Sequence, residues 1–250
     1  MNNPKQNFFL TKNNQKIHYK FINNKSLTTI IFLHGLMSNI KSKKAKHLKK
    51  FANENKINLL LFEYSGHGRS SGKFTDFSIK NWVEDSRSII KKLINKKRII
   101  LIGSSMGAWI AILLIKYFYK RIKGFIAIAP APDFTKELIW KKLNDIEKSK
   151  IKKNKIYKLK SSHNDFYPIT KKFIFDGKKI LVLNKKINCS FPVELLHGIK
   201  DSSVSWVYSI KLIKTLISKK LSLTFIDDGD HSLSRAQDLK KLDLAIKNII

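Results

Sequence analysis

Short apolar runs alternate with amphipathic stretches along almost the whole chain, and this alternation restricts the possible folds more than any other feature. Runs of strand length include TTIIFLHG (28–35), RIILIG (98–103) and FPVELLHG (191–198). Between the runs lie stretches of helical length such as 78–95 and 106–120. Strands that alternate with helices are typical of a mostly parallel sheet with helices on both faces. The sequence therefore predicts an α/β fold.

The alternation is interrupted once, between residues 133 and 185. This segment is rich in lysine, has weak periodicity and contains the unusual stretch SSHNDFYPI. Such a segment indicates an insertion, and we expect it to form a lid. The 250 residues contain no linker long enough to separate two domains. We therefore predict a single domain, residues 1–250, with the lid at 133–185 inside it.

The net charge of +32 at pH 7 is the most unusual feature of the composition. A strongly basic chain suggests a nucleic acid or an anionic membrane as its partner. However, only 5 of the 50 basic residues are arginine, the residue that DNA-reading proteins favour. Lysine, asparagine and isoleucine share A/T-rich codons, so a codon bias accounts for the charge. We expect no nucleic-acid partner and at most a weak attraction to anionic surfaces.

The sequence also indicates a compartment. It has no uncharged apolar run of the length, about 18 residues, that a membrane span requires. The first residues, MNNPKQNFFLTKNNQK, lack the apolar core of a secretory signal and the pattern of a transit peptide. Cys189 is the single cysteine and cannot form an internal disulfide. We therefore expect a cytoplasmic protein in which Cys189 is a buried apolar residue.

The segment 99–114, IILIGSSMGAWIAILL, places a glycine-flanked serine between a strand and a helix. Strand, Gly-x-Ser-x-Gly and helix together make a nucleophile elbow, a sharp turn that projects the central side chain. With Gly103 and Gly107 as the flanks, the central residue is Ser105, and Ser104 is a variable position. We predict Ser105 as a nucleophile. The alternative is a tight turn without chemistry. A catalytic serine also requires a base, an acid and an oxyanion hole, so each of these must be found elsewhere in the sequence.

His231 is the candidate base. It follows the last strand, in TFIDDGDHSLSRA, and so lies at the carboxyl edge of the sheet, where the elbow also lies. Three other histidines follow strands. Of these, His34 and His67 precede Ser105, and His197 has no later acid as well matched as Asp201. The remaining histidines, His18, His47 and His163, are expected at the surface.

Asp201 is the favoured candidate for the acid that orients His231. It lies four residues beyond the end of a strand, in LLHGIKDSSVSW, where its carboxylate can accept the Nδ1 hydrogen of the base. Asp133, at the end of the preceding strand, is its rival. The order Ser105, Asp201, His231 is the one expected for a nucleophile elbow in this type of sheet.

Two backbone amides are expected to form the oxyanion hole. One is the amide of Met106, at the start of the helix that follows the elbow. The other is the amide of Leu36, in the loop FLHGLMS, where Gly35 permits a close approach. Together with the serine, acid and base, these amides would supply every group that acyl transfer requires.

Five segments together resemble the α/β-hydrolase superfamily: FLHGLMS, EYSGHGRSSG, GSSMGAW, LLHGIKDSSVSW and DGDHSLSR. More narrowly, the chain is similar to mitochondrial α/β-hydrolase-domain thioesterases that remove palmitoyl groups from proteins and cleave acyl glucuronides, and to their bacterial relatives. The resemblance runs from about residue 28 to the end. It implies the α/β-hydrolase fold, with Ser105 as nucleophile, Asp201 as acid and His231 as base. The lysine-rich insertion and the lack of an organellar presequence depart from that pattern.

We therefore expect a serine hydrolase that cleaves esters or thioesters of a small molecule or an acylated protein. No motif indicates a metal or a cofactor, because the glycines of GHGRSSG do not fit a dinucleotide loop. Alternatives are a short-chain carboxylesterase, a proline-type peptidase and an inert polyanion-binding protein of the same fold. The oligomeric state is left open.

Five apolar residues are expected to contact the substrate: Leu36, Met37, Trp109, Phe134 and Trp206. For each of them the alternative is an ordinary position in the core.

Overall fold

The computed structural model describes residues 7–95, 97–160 and 166–250, and an eight-stranded sheet forms its centre. The strands are β1 (Phe8–Leu10), β2 (Lys16–Ile22), β3 (Thr28–Leu33), β4 (Asn58–Phe62), β5 (Arg98–Ser104), β6 (Ile122–Ile128), β7 (Tyr157–Lys160), β8 (Phe166–Ile169), β9 (Ile187–Asn188), β10 (Val193–Gly198), β11 (Leu216–Ile217) and β12 (Leu221–Ile226). The α-helices are α1 (Lys43–Glu54), α2 (Ile79–Leu93), α3 (Met106–Phe118), α4 (Asp145–Lys152), α5 (Lys171–Lys178), α6 (Val207–Ile213) and α7 (Ala236–Lys247).

The central sheet has the strand order β1-β2-β4-β3-β5-β6-β10-β12. The first two strands form an antiparallel hairpin, and β2 also pairs antiparallel with β4. Every other pair, from β4 to β12, is parallel. The predicted α/β-hydrolase fold, with its mostly parallel sheet, is confirmed.

Helices cover both faces of this sheet because its central strands are apolar on both sides. Strands β3 and β4 are buried at every position, as expected for parallel strands between two helical layers. On one face, α2 and α3 bury large side chains such as Trp82 and Trp109. On the other face, α1 and α7 bury Leu48 and Ile246. The carboxyl ends of the parallel strands are left free to carry loops at one edge.

Residues 133–185 include a π-helical turn (Thr135–Ile139), helices α4 and α5, and an antiparallel hairpin of β7 and β8. The Asp133 carboxylate accepts hydrogen bonds from the amides of Val182 and Leu183, at 2.8 and 3.0 Å. One buried side chain thus joins the two ends of the segment. The bounds of the insertion and its action as a lid stay predictions. His163 lies outside the described residues.

One predicted helix is shorter in the structure. The apolar pattern of 203–219 predicts a single helix, but α6 covers only Val207–Ile213. The chain then leaves the helix because Leu216 and Ile217 pair in parallel with β9.

In the described ranges, every helix is too short or too polar to cross a bilayer.

Candidate active site

The turn from β5 into α3 holds Ser105 in a conformation that few residues adopt. Its φ is 54° and its ψ is −117°, which is unfavourable for a residue with a side chain. The flanking glycines make this turn possible. A Cβ on Gly107 would overlap the carbonyl of Leu33, and a Cβ on Gly103 would lie 2.5 Å from the backbone of Ala108. The Ser105 hydroxyl is therefore presented at the carboxyl edge of the sheet.

His231 lies on the loop after β12 and forms hydrogen bonds on both sides of its ring. Its Nε2 atom is 3.0 Å from Ser105 Oγ, and its Nδ1 atom is 2.6 Å from Asp201 Oδ2. Because a carboxylate can only accept, Nδ1 carries the hydrogen and Nε2 is free to take the serine proton. The Asp201 side chain is fully buried, whereas the imidazole is 28% exposed. The structure thus brings the three candidates together in the predicted order.

The loop after β10 supplies further hydrogen bonds to Asp201. Its Oδ1 atom accepts the amides of Ser203 and Val204, at 2.9 and 2.8 Å. Burial alone would raise the pKa of Asp201, but hydrogen bonds from His197 and His231 outweigh it and hold this pKa well below its usual value. The carboxylate is therefore ionised at any pH at which an enzyme is normally assayed.

His197 lies on the other side of Asp201, in a role that the sequence does not reveal. It is fully buried, and its Nε2 atom is 2.9 Å from the Val204 carbonyl oxygen and 3.3 Å from Asp201 Oδ2. Both neighbours are acceptors, so Nε2 carries a hydrogen, while Nδ1 is 2.7 Å from the Ser209 hydroxyl oxygen. This imidazole helps to fix the carboxylate. Its signal in the sequence is the spacing His-Gly-x-x-Asp at 197–201.

The rival candidates have other partners. Asp133 accepts hydrogen bonds from the amides of Val182 and Leu183, and burial raises the pKa of its carboxyl group. Burial, aided by the neighbouring His67, lowers the pKa of His34 to about 3, although a hydrogen bond to Gly35 opposes the shift. Burial likewise lowers the pKa of His67 to about 4. The remaining described histidines, His18 and His47, are partly exposed and each contacts a carboxylate.

The two predicted oxyanion donors lie beside Ser105. Met106 is the first residue of α3, so its amide has no acceptor within the helix. Leu36 follows Gly35, whose backbone lies beside the nucleophile; a Cβ there would make an ordinary contact with Ser105 Cβ, at 3.5 Å. Both residues line the space next to the serine hydroxyl. That their amides form the oxyanion hole stays a prediction.

A cavity of about 610 Å³ opens at Ser105 and His231. One of its walls belongs to the loops of the sheet edge, and another to the segment 133–185. The apolar lining includes Leu36, Phe134, Leu138, Ile139, Leu159 and Val204. Three lysines also contribute to the lining, Lys44, Lys142 and Lys160. The cavity therefore combines an apolar interior with positive charge.

Three of the apolar residues expected at the substrate do not line this cavity, which corrects the prediction. Met37 is 47% exposed on the loop surface. Trp109 is fully buried in the core, and its ring packs edge-on against Phe134 at 5.7 Å. Trp206 is 39% exposed and packs against another aromatic ring outside the cavity. The spacing of apolar residues indicates which side chains avoid water. It does not distinguish side chains that line a ligand cavity from side chains that pack in the core.

Lys44 is the one buried lysine among the described residues. It lies in the first turn of α1, and its ammonium donates to the Ser232 carbonyl and, at 3.2 Å, to Ser234 Oγ. Burial lowers the pKa of Lys44 to about 8, although Asp230 and Asp238 oppose the shift. Since Ser232 follows His231 directly, this side chain links the loop of the candidate base to the helix that follows the Leu36 loop.

Two further predictions concern Cys189 and metal binding. Cys189 is 2% exposed, and burial raises the pKa of its thiol to about 12, which fits a buried apolar residue. Over the part of the chain that the structure describes, no three His, Cys, Asp or Glu side chains are grouped so that they could hold a metal ion.

A mostly parallel sheet whose central strand turns sharply into a helix at a serine, opposite a histidine loop, is the architecture of a serine hydrolase of the α/β-hydrolase superfamily. The chain belongs to the family described as serine aminopeptidase S33 (Hydrolase_4), which matches residues 24–172.

Similar proteins agree with this assignment. The rat mitochondrial palmitoyl-protein thioesterase ABHD10 is 28% identical over 223 residues, which cover 88% of this chain and 74% of the relative. A hydrolase crystal structure from Agrobacterium vitis S4 is 31% identical with a TM-score of 0.93, and 98% of each chain is covered. Mouse α/β-hydrolase domain-containing protein 10 is 26% identical with a TM-score of 0.87 over the same shares.

Proposed function

We propose that this hydrolase cleaves carboxylic esters or thioesters through an acyl-enzyme on Ser105. The observation that carries the proposal is the continuous hydrogen-bonded chain from the Ser105 hydroxyl through His231 to the buried Asp201, with distances of 3.0 and 2.6 Å. In this arrangement the base is held in the tautomer that accepts the serine proton. The strained serine backbone supports the same assignment, because such strain is retained mostly at functional positions.

The first half of the reaction forms the acyl-enzyme. His231 Nε2 takes the proton from Ser105 Oγ as that oxygen attacks the substrate carbonyl carbon. The amides of Leu36 and Met106 stabilise the resulting oxyanion, and one such donor typically contributes about 3 kcal/mol to the transition state. The tetrahedral intermediate then collapses. The alcohol or thiol leaves with the proton from His231, and the acyl group stays on Ser105.

The second half returns the enzyme to its starting state. His231 removes a proton from a water molecule, whose oxygen attacks the acyl carbon, and the Ser105 oxygen leaves with that proton. The buried negative charge of Asp201 stabilises the imidazolium in both halves. The free carboxylic acid is the product.

The substrate class that we propose is an ester or thioester of a long acyl chain, including acylated proteins. The cavity beside Ser105 has apolar walls and a volume of about 610 Å³, and its lining includes Phe134 and Leu159. Each methylene that such walls bury favours binding by about 0.8 kcal/mol. The curated relatives in rat and mouse are palmitoyl-protein thioesterases, which supports the same class.

A matched panel of oxyesters and thioesters, with acyl chains from about two to about sixteen carbons, tests the proposal. We expect kcat/KM to rise with chain length, and thioesters to be cleaved. Ser105→Ala should abolish turnover, whereas the adjacent Ser104→Ala should retain it. Equal loss in both variants would contradict the assignment of the nucleophile.

The panel also separates the alternatives. Turnover of short oxyesters alone would indicate a general carboxylesterase. Because the matched family is described as serine aminopeptidase, proline-containing peptide amides belong in the same assay, and their preferential cleavage would indicate a peptidase. An absence of turnover, with no labelling by a fluorophosphonate and with steeply salt-dependent polyanion binding, would indicate an inert polyanion-binding protein.

The proposed location is the cytoplasm. The curated relatives are named as mitochondrial proteins, so the prediction needs a direct test. Cell fractionation with an antibody against the native chain would check it, and recovery in an organellar or secreted fraction would contradict it.

A further inference from the structure

The segment 133–185 exposes large apolar side chains near the cavity. Ile146 is 70% exposed, Ile156 is 54% exposed and Phe166 is 56% exposed. Single exposed apolar residues are common on proteins and need no explanation. Here Ile146 lies in α4, Ile156 directly precedes β7 and Phe166 begins β8, all within the segment 133–185. Three exposed apolar side chains in one segment indicate a surface that contacts a partner.

The hairpin of β7 and β8 has two different faces. In its register Lys158 is opposite Pro168, and Lys160 is opposite Phe166. Side chains directly opposite each other share a face, and the residues between them occupy the other face. One face therefore carries Lys158, Lys160, Phe166 and Pro168, and Ile156 precedes it with the same parity. We name these five residues the outer hairpin face.

The opposite face of the hairpin contributes to the cavity. Leu159 and Tyr167 are opposite each other in the register and both line the cavity at Ser105. They are half-buried, whereas Lys158 and Phe166 are exposed. Lys160 also lines the cavity, so the outer hairpin face adjoins its rim. A surface that contacted this face would lie beside the entrance to the cavity.

The charge around the outer hairpin face has one sign. Residues 145–160 include seven lysines and two acidic residues, Asp145 and Glu147. Among the described residues, Lys148 is the one of these lysines with a carboxylate within 4 Å, that of Asp145 at 3.8 Å. The other lysines are available to an anionic partner. Apolar side chains distinguish this surface from a simple polyanion site, since DNA offers phosphates but no hydrocarbon layer.

We propose that the outer hairpin face docks on the surface of an anionic lipid bilayer. Lysines near such a surface are attracted to acidic headgroups, and aromatic side chains favour the interface between headgroups and acyl chains. Phe166 and Ile156 would enter this interface while Lys158 and Lys160 contact lipid phosphates. Docking would place the cavity entrance against the bilayer, so that an acyl chain reaches Ser105 without crossing water. The docking itself is independent of the proposed reaction, and only this delivery of substrate rests on it.

The test uses the full chain with Ser105→Ala, so that no lipid is hydrolysed, and vesicles of phosphatidylcholine with or without about 30% phosphatidylglycerol. Co-sedimentation should show binding to the anionic vesicles and little to the neutral ones. Ile156→Ser with Phe166→Ser should weaken binding about tenfold or more, because the apolar contribution is lost. Lys158→Glu should weaken it by a smaller factor.

Matched controls lie outside the segment 133–185. Leu27 and Leu244 are 83% and 55% exposed, and Leu27 precedes β3 at the opposite edge of the sheet. Their double change to serine should leave vesicle binding within about twofold. Lys120→Glu, in the exposed turn before β6, controls for Lys158→Glu. Circular dichroism confirms that each variant folds.

Either of two results would overturn the proposal. In one, wild type and the Ile156/Phe166 variant bind anionic vesicles with equal affinity, and the two proteins also bind double-stranded DNA with equal affinity. That pattern would indicate diffuse attraction by lysines. The other is a loss of the same size in the Leu27/Leu244 control. Since binding is measured without turnover, a failure of the ester and thioester panel would leave this result interpretable.

Discussion

The carboxyl edge of the sheet and the segment 133–185 form opposite walls of one cavity but are stabilised in different ways. At the sheet edge, the buried Asp201 carboxylate receives hydrogen bonds from two amides and two histidines. The segment 133–185 instead packs apolar side chains such as Phe173 and Ile174 into the core, holds its two ends together through the Asp133 carboxylate, and exposes lysines and other large apolar side chains. Substitutions at the sheet edge should therefore affect chemistry, and equivalent ones in the insertion should affect stability or surface properties.

The two buried aspartates provide the strongest test of this difference. Asp201→Asn should lower kcat/KM for the ester panel about 10⁴-fold, because the amide group favours the wrong tautomer of His231. Asp133→Asn should retain most activity. It should lower the free energy of unfolding by about 1–3 kcal/mol, because one of the two accepting oxygens becomes an NH2 group that faces a backbone N–H, donor against donor. Steady-state kinetics and urea denaturation on both variants check the pair, and similar losses of activity would remove the distinction.

The aromatic pair Trp109 and Phe134 tests the boundary between core and cavity. Trp109 is fully buried, so Trp109→Ala should cost about 3–5 kcal/mol of unfolding free energy. Phe134 touches the same ring but also lines the cavity. Phe134→Ala should therefore cost less stability and should change the chain length at which KM is lowest. An unchanged chain-length profile would exclude Phe134 from the acyl site.

Two glycines show the same contrast in packing. A Cβ on Gly107 would meet the backbone of Leu33, which cannot move, whereas a Cβ on Gly177 in α5 would meet the side chain of Thr135. We expect Gly107→Ala to cost about 3 kcal/mol. For Gly177→Ala, the better helix propensity of alanine should offset most of the overlap. Denaturation midpoints of both variants decide this, and an equally large loss at Gly177 would show that the insertion is packed as rigidly as the sheet edge.

The sequence allowed the sheet edge to be predicted in detail because each group there depends on local signals. Glycines two residues before and after Ser105 define the elbow, and strand ends locate Asp201 and His231. The segment 133–185 carries no such signals, so its hairpin and helices could not be predicted. Lys44 was missed because its contacts join residues far apart in the chain. His197 contacts residues close to it in the chain, but the sequence suggests it only as a base and not as a partner of Asp201.

The smallest effect on activity that we predict concerns Lys44, which lines the cavity beside the His231 loop. Lys44→Met keeps the apolar part of the side chain but removes its hydrogen bonds to Ser232 and Ser234. Looser placement of the His231 loop should lower kcat about tenfold with little change in KM. Lys46→Met, on the exposed side of the same helix, serves as the control. A drop of the same size in the control would indicate a general effect of charge.

The pH dependence of stability gives an independent test of Lys44. Its pKa falls from 10.5 to about 8 on folding, so between these values the unfolded chain binds more protons than the folded one, and stability rises with pH. Below pH 8 the buried ammonium is retained at a cost, and this cost is relieved as pH increases through the window. Wild type should therefore gain about 3 kcal/mol relative to Lys44→Met between about pH 8 and 10.5, at 1.36 kcal/mol per pKa unit. A constant difference across this window would mean that Lys44 is not buried as a cation beside His231, and its link to the catalytic loop would have to be abandoned.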